Sequence, residues 1–365
     1  MNAPTANLHL PALVIPDVHH RCEWAEAVIA KEGGDCASII FTGDYFDNHG
    51  DTPQDTYHTA RWLKNSLKDP RRYHLMGNHD VAYFANGIQT VDWSGWSEHK
   101  QEVFSQSFPP ELFAELPLHL AATAGPWLLS HAGFCGGKHS PLVGHPTQSL
   151  LHWADQTRQK LQYHMQQRDL TPMLLGCGYA RGGNHPIGGL LWCDFDREFV
   201  PLPGLHQLCG HTPETVRGCM LMPGGQKRTI HLRELTQDAA NRLCQLNIRS
   251  QNWCLDTHGH SWAKIYPTHL HLAWDEKRVD VPAPTVEEPT WPLLAAYNLV
   301  PPLQEAPPLL VNWDAVRQRF LETPTWPHLL RALHVPEWPE RIPSAPKLES
   351  ALRSLQKHGT LPPET

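Results

Sequence analysis

The stretch IIFTGDYFDNHGD, residues 39–51, begins like a buried strand and ends in carboxylates. Residues 39–41 have the apolar, β-favouring character of a core strand, and Gly43 provides a turn directly after them. Three aspartates then follow in quick succession: Asp44, Asp47 and Asp51. Leaving such charge unpaired beside a core is costly, which favours a bound cation as their partner. Asp and Gly are also ordinary residues of a solvated turn, so this stretch alone leaves both interpretations open.

Composition excludes several classes of protein. A chain of 365 residues can bury one large core, or one core with an appendage. The formal net charge of -7 predicts no nucleic-acid footprint. No apolar run is long enough to cross a membrane, and the opening residues MNAPTANLHL lack a signal pattern. The nine cysteines show no CxxC spacing, so we expect a soluble protein of the reducing cytoplasm.

From residue 8 to about residue 275, short β-type runs alternate with helical patterns, which predicts the α/β class. The predicted strands cover residues 10–15, 38–42, 73–76, 127–130, 207–209, 253–255 and 270–273. The predicted helices cover residues 23–31, 55–67, 98–108 and 148–166. We therefore predict one domain over residues 1–280, large enough to be a catalytic domain.

The remaining residues, 281–365, have a different texture. They contain nearly half of the 34 prolines, which excludes a regular sheet and favours extended segments between short helices. Helical spacing joins Trp313, Val316 and Phe320, and the same spacing recurs after Ser344. We predict a Pro-rich helical C-terminal extension that packs on the main domain.

The ends of the other predicted strands repeat the pattern of the opening stretch. Five apolar runs are followed by Asp, His or Asn, in the segments PDVHH (16–20), TGDYFD (42–47), GNHD (77–80), SHAG (130–133) and GHTP (210–213). Any one of these alone is more simply explained as a core or loop residue. Together they indicate one site, because ligands of α/β sheets gather at the carboxyl ends of strands.

The donor set indicates which cations such a site would hold. Carboxylate oxygens and imidazole nitrogens without thiolate suit Mn, Fe, Zn, Ni or Mg. The set is too large for one tetrahedral zinc, and a carboxylate shared by two ions is a recurring arrangement for phosphoryl transfer to water. We therefore predict two divalent metal ions, with manganese as the first choice.

Five blocks, in order, resemble the signature of the calcineurin-like metallophosphoesterases: DVH, GDYFD, GNHD, SHAG and GHTP. GHTP, LLWCD (190–194) and CLDTHG (254–259) are similar to the phosphoprotein-phosphatase and diadenosine-tetraphosphatase branch. The resemblance implies a calcineurin-like four-layer sandwich, in which two mixed β-sheets are flanked by helices.

The resemblance also implies a role for each matching residue. It implies six metal ligands, with Asp44 shared between the ions: Asp17, His19, Asp44, Asn78, His131 and His211. It implies that a metal-bridging hydroxide attacks phosphorus and that His79 protonates the leaving-group oxygen. Asp47 would orient His79.

One position departs from the family pattern. The phosphoprotein phosphatases continue GDxxD with an arginine that clamps the phosphate, whereas this chain has Asn48. Arg181, in the glycine-rich stretch GYARGGNHPIGG, is the candidate replacement, with His20 and Asn48 as further substrate-binding candidates. The simpler alternative is that Arg181 is a surface residue of a flexible loop.

The predicted function is a dinuclear metal-dependent phosphatase that acts on a phosphomonoester, either a protein or a small molecule. The alternative is a phosphodiesterase or dinucleoside polyphosphate hydrolase, and a non-catalytic protein-binding scaffold is more remote because the ligands and His79 are all present. Residues 82–110 are rich in aromatic side chains and suit either a cover over the site or a small hydrophobic cluster.

Overall fold

The computed structural model describes residues 7–85, 95–136, 147–161, 163, 175–183 and 185–284. By its contacts the chain divides into two compact units, residues 1–140 with 154–286, and residues 141–153 with 287–365. Only residues 147–153 of the second unit are described. Apart from residues 281–284, the predicted C-terminal extension lies outside the described residues, so the proposed domain boundary at residue 280 stays a prediction.

The described residues form two seven-stranded sheets. The first sheet has the order β1-β6-β7-β8-β11-β9-β10. Its strands are β1 (Asn7–Leu8), β6 (Ala121–Ala124), β7 (Trp127–Ser130), β8 (His206–Cys209), β9 (Arg217–Leu221), β10 (Lys227–His231) and β11 (Ser250–Cys254). The second has the order β14-β13-β12-β2-β3-β4-β5. Its strands are β2 (Ala12–Ile15), β3 (Ser38–Phe41), β4 (Arg72–Leu75), β5 (Leu118–His119), β12 (Ser261–Ile265), β13 (His269–Trp274) and β14 (Lys277–Pro282).

Both sheets are mixed. Strands β2 to β5 are parallel neighbours, while β12 joins β2 antiparallel. In the first sheet β7, β8 and β11 are parallel, with antiparallel neighbours on either side. The predicted pair of mixed sheets with helices is confirmed.

The alternation of side chains along β3 shows how the layers form. Ile40 lies in a buried cluster with Leu129 and Leu208 of the first sheet, so the two sheets pack face to face. Phe41 points the other way, and its ring contacts Trp62 of a helix at 5.6 Å between centroids. The helices are α1 (Cys22–Glu32), α2 (Pro53–Ser66), α3 (Asn78–Phe84), α4 (Glu98–Ser105), α5 (Thr147–Gln159) and α6 (Gln237–Asn241). None of the helices in the described ranges is long and apolar enough to cross a membrane.

Candidate metal centre

The candidate site lies where strands of both sheets end. In the second sheet β2, β3 and β4 run parallel, and in the first sheet β7 and β8 do. Each strand is followed within a few residues by a polar side chain: Asp17 after β2, Asp44 after β3, Asn78 after β4, His131 after β7 and His211 after β8. The sequence pattern therefore brings these residues to the sheet edge at which ligands gather in α/β proteins.

Two groups of candidate ligand atoms share Asp44. One group consists of Asp17, His19 and Asp44, and the other of Asp44, His131 and His211. Within each group the ligand atoms all lie within 4.8 Å of one another. Asn78 joins the second group, with its Oδ1 at 2.9 Å from His131 Nε2. The six residues predicted as metal ligands thus lie together, around one shared carboxylate.

The surroundings of His131 show that these atoms fit a cation. Its Nδ1 lies 3.0 Å from the carbonyl oxygen of Thr42, which can only accept, so Nδ1 carries the proton. The unprotonated Nε2 then faces two oxygen atoms, Asn78 Oδ1 and Asp44 Oδ2 at 3.3 Å, and it lies 3.2 Å from His211 Nδ1. Buried acceptors that converge in this way favour a positive charge among them.

His19 is oriented in the same way. Its Nδ1 lies within hydrogen-bond distance of the carbonyl oxygens of Phe46, at 3.1 Å, and Asp47, at 2.5 Å. This leaves the lone pair of Nε2 available to a metal ion, and Nε2 lies 3.8 Å from Asp44 Oδ2. Carbonyl partners of this kind fix the tautomer of metal-binding histidines.

Burial sets the protonation of the cluster. It lowers the pKa of His19, and it lowers the pKa of His211 well below the ordinary value, so both rings are in the neutral form that coordinates metals. Burial also raises the pKa of Asp17, and the neighbouring Asp256 and Asp44 carboxylates raise this pKa further. The excess of negative charge around Asp17 is what a bound cation would compensate.

His79 stands beside this cluster, with a fifth of its side chain exposed. Its Nδ1 lies 3.1 Å from Asp47 Oδ2, and its backbone N–H donates to Asp44 Oδ1 at 2.9 Å. Burial alone would lower the pKa of His79, but the charge of Asp44 and the hydrogen bond to Asp47 outweigh it. In the absence of cations they raise this pKa to about 9. An imidazole that is held by a carboxylate next to candidate metal ligands is placed to donate a proton.

The sequence model of the calcineurin-like phosphoesterases matches residues 10–215, which is more than half of the chain. The chain belongs to this family. It is accordingly a metallophosphoesterase, a hydrolase of phosphoric esters. None of the curated proteins matches the chain.

Solved structures similar to this calcineurin-like phosphoesterase include three enzymes. A metallophosphoesterase from Sphaerobacter thermophilus is 15% identical, with 71% of this chain and 84% of that chain covered and a TM-score of 0.33. A dimetal phosphatase from Danio rerio is 12% identical, with 77% and 99% covered and a TM-score of 0.34. A protein serine/threonine phosphatase from Saccharomyces cerevisiae is 19% identical, with 37% and 41% covered and a TM-score of 0.24.

Arg181, the predicted replacement for the family's arginine clamp, lies beside the candidate metal ligands. One of its terminal nitrogens, Nη2, donates to His211 O at 3.4 Å and to Thr212 Oγ1 at 3.2 Å. Its Nε pairs with Asp194 Oδ2 at 3.0 Å. About a quarter of the side chain, 27%, remains exposed, so the guanidinium is held next to a candidate ligand but is not fully enclosed.

The other two predicted substrate-binding residues have different surroundings. His20 uses both ring nitrogens, Nδ1 with Thr59 Oγ1 and Nε2 with Asp51 Oδ2, each at 2.8 Å. These contacts tie His20 to the protein and leave no ring nitrogen for a substrate. Asn48 is exposed, and its Oδ1 accepts from the backbone N–H of His49 at 2.8 Å. Its contact with a substrate stays a prediction.

Asp80 was not among the predicted site residues, yet it contacts the backbone of both loops that carry Asp44 and Asn78. Its carboxylate accepts hydrogen bonds from the backbone N–H groups of Asp44 at 2.8 Å, Tyr45 at 2.8 Å and Gly77 at 2.7 Å. The loops after β3 and β4 are thereby tied together. The GNHD block contains this residue, so its position at a strand end was a usable signal.

Two further residues contact Asp47 and were not singled out for a role in the site. The Tyr83 hydroxyl donates a hydrogen bond to Asp47 Oδ1 at 2.6 Å, and Lys100 Nζ lies 3.5 Å from the same atom. Both belong to the aromatic stretch that suited either a cover or a hydrophobic cluster. Tyr83, Phe84 and Phe104 are at most 3% exposed and pack on one another, which favours the cluster for the described part of residues 82–110.

Several residues of the site adopt a positive φ that only glycine adopts readily. They are His19 (42°), His20 (65°), Asp44 (50°), Asp47 (61°) and His211 (69°). Such conformations cost free energy and persist where the surrounding structure imposes them. Their concentration in the loops after the strands is typical of a functional site.

Proposed function

We propose that the chain is a dinuclear metal-dependent phosphatase that hydrolyses phosphomonoesters. The observation that carries the proposal is the shared carboxylate of Asp44, which belongs to both groups of converging ligand atoms. Asp17, His19 and Asp44 would hold one ion. The second would be held by Asp44, Asn78, His131 and His211.

Two divalent ions, when bound, would activate the attacking water and stabilise charge on the phosphoryl oxygens. We favour manganese for both. The chain's own residues supply the remainder of the chemistry. His79 points its ring beside the cluster and gives its proton to the leaving-group oxygen. Asp47 holds the Nδ1 of that ring, which leaves Nε2 for the proton transfer. Arg181, next to His211, binds non-bridging oxygens of the phosphoryl group.

A second candidate is hydrolysis of a phosphodiester or a dinucleoside polyphosphate. The observation that favours it is the exposed Asn48, which stands where the related phosphoprotein phosphatases have their clamp arginine. A weaker clamp suits a phosphoryl group with less charge. We place either activity in the cytoplasm, on a small molecule or a phosphorylated protein.

The experiment is a screen of the purified protein against phosphomonoesters, phosphodiesters, dinucleoside polyphosphates and phosphopeptides, each with Mn²⁺, Zn²⁺, Ni²⁺ or Mg²⁺. We expect the phosphomonoesters to give the highest kcat/KM with Mn²⁺. A preference for diesters or anhydrides would favour the second candidate. Turnover that is unaffected by chelators would contradict the dinuclear mechanism.

A further inference from the structure

A lysine is buried next to the candidate acid of the site. Lys100 lies in the first turn of α4, which begins after the Ser97 cap, and it is only 5% exposed. Its ammonium group contacts three oxygen atoms: Gly95 O at 2.5 Å, Asp51 Oδ1 at 2.6 Å and Asp47 Oδ1 at 3.5 Å. An ammonium group has three N–H donors, so these contacts saturate it. Lys100 is therefore not available to bind a substrate.

Lys100 and Tyr83 both approach the same side of the Asp47 carboxylate. Oδ1 of Asp47 accepts a hydrogen bond from the Tyr83 hydroxyl at 2.6 Å, and Lys100 Nζ lies 3.5 Å from the same oxygen. Because both partners lie at Oδ1, the other oxygen, Oδ2, is directed at His79 Nδ1 at 3.1 Å. A carboxylate held on one side in this way cannot rotate without losing a charged and a hydroxyl partner.

The same lysine reaches a second loop through Asp51. Asp51 Oδ1 faces Lys100, and Asp51 Oδ2 lies 2.8 Å from His20 Nε2. His20 in turn contacts Thr59 of α2. Lys100 thus joins α4 to the loop after β3 and, through His20, to the loop after β2, which carries the candidate ligand His19.

We propose that Lys100 is a positioning residue for the acid pair of His79 and Asp47, and that it supplies from α4 a positive charge beside the loop after β3. The inference rests on the proposed function, in which His79 protonates the leaving group. Lys100 acts through Asp47, because its ammonium is buried and saturated. It differs from the family's arginine clamp, which touches the phosphate itself.

The test compares Lys100→Met with the control Lys264→Met. Lys264 is also nearly buried, at 7% exposed, and its Nζ pairs with Asp35 Oδ1 at 3.0 Å. Asp35 precedes β3, so this pair lies at the opposite end of the strand from the site. Each metal-loaded enzyme is assayed on ethyl phosphate, whose leaving group needs a proton, and on p-nitrophenyl phosphate, whose leaving group does not.

Lys100→Met should lower kcat on ethyl phosphate about tenfold or more and leave kcat on p-nitrophenyl phosphate within about threefold, since part of the acid's contribution is lost. Lys264→Met should keep the wild-type ratio of the two rates. Lys100→Arg, which keeps the positive charge, should recover most of the kcat on ethyl phosphate that Lys100→Met loses. Equal rate losses on both esters, or none, in Lys100→Met would overturn the proposal.

A second measurement does not depend on turnover. In zinc-loaded protein labelled with ¹⁵N-histidine, the hydrogen-bonded Nδ1–H proton of His79 is assigned by its absence from His79→Gln. Lys100→Met should weaken or shift this signal, and Lys264→Met should not. An unchanged signal in Lys100→Met overturns the role of Lys100 even if no ester is hydrolysed. If the wild-type enzyme hydrolyses neither ester while the signal responds as expected, the proposed function fails and the positioning contact stands.

Discussion

At the scale of single residues, Asp44 is the position on which the candidate metal centre depends most. Its Oδ2 lies 3.3 Å from His131 Nε2 and 3.8 Å from His19 Nε2. Asp44→Asn removes a negative charge from both groups of ligand atoms while keeping the shape of the side chain. We expect this variant to lose more metal and more activity than a change at any other single ligand. Metal analysis and turnover check this, and two retained ions with normal kcat would contradict it.

His79 is expected to act as the proton donor. His79→Ala should keep both metal ions, because the ring lies beside the ligand groups and not within them. The rate on alkyl phosphates should fall by about 10²–10⁴, with a smaller loss on activated aryl phosphates. Asp47→Asn, which weakens the hold on the ring, should show the same pattern more mildly. A loss that is the same for every leaving group would exclude His79 as the acid.

Arg181 is expected to replace the clamp arginine that is missing after Asp47. Its guanidinium touches His211 and Thr212, so a phosphoryl group at the cluster comes within its reach. Arg181→Ala should raise KM or lower kcat for a monoester dianion by about 10²-fold, and Arg181→Lys should recover little, because the planar fork is lost. Asp194→Asn is the matched control, since it frees the guanidinium from its ion pair without removing it. Unchanged kinetics in Arg181→Ala would show that Arg181 does not bind the phosphate.

At the scale of elements, burial alone did not make a strand predictable from the sequence, since β6, β9 and β12 are buried along their whole length and were not predicted. Strand β7 was predicted with its observed ends, Trp127–Ser130, because it is apolar and buried along its whole length. Strand β10, KRTIH, was missed, because an edge strand that is mostly exposed carries no apolar pattern. The ligand residues could be predicted since each follows a recognisable strand. Tyr83 and Lys100 could not, because their partner Asp47 lies 36 and 53 residues away in the chain.

The turn between β3 and the first carboxylate requires glycine. Gly43 has φ +104°, and a Cβ at this position would collide with the backbone of Gly77 in the neighbouring loop. Gly43→Ala should therefore lower the free energy of unfolding by more than about 2 kcal/mol. Gly50→Ala is the control, since Gly50 has φ +77° with nothing within 4 Å, and should cost about 1 kcal/mol. Urea unfolding of both variants checks this, and equal losses would show that the contact between the two loops is unimportant.

At the scale of the whole molecule, a buried histidine outside the candidate metal centre, His206, should make stability depend on pH. Burial lowers the pKa of His206 from its ordinary 6.5 to about 4, and its Nδ1 accepts a hydrogen bond from the backbone N–H of Gln251 at 3.0 Å. Because the folded state favours the neutral ring, this contribution is complete above pH 6.5 and is lost as the pH falls towards 4.

Between pH 6.5 and 4.5 the wild-type chain should therefore lose about 2 kcal/mol more stability than His206→Gln, in which this group no longer titrates. Urea midpoints at the two pH values provide the measurement, with the exposed His58→Gln as the control. A parallel decline of wild type and His206→Gln would show that His206 does not contribute.

The second group of ligand atoms has a mechanical consequence. Asp44 and Asn78 follow strands of one sheet, whereas His131 and His211 follow strands of the other. An ion held by all four would cross-link the two sheets at the ends of these strands. Sheets that slide apart must first break that link, so loading with metal would prolong the lifetime of the folded chain through slower unfolding. The catalytic centre would then also set how long the protein survives.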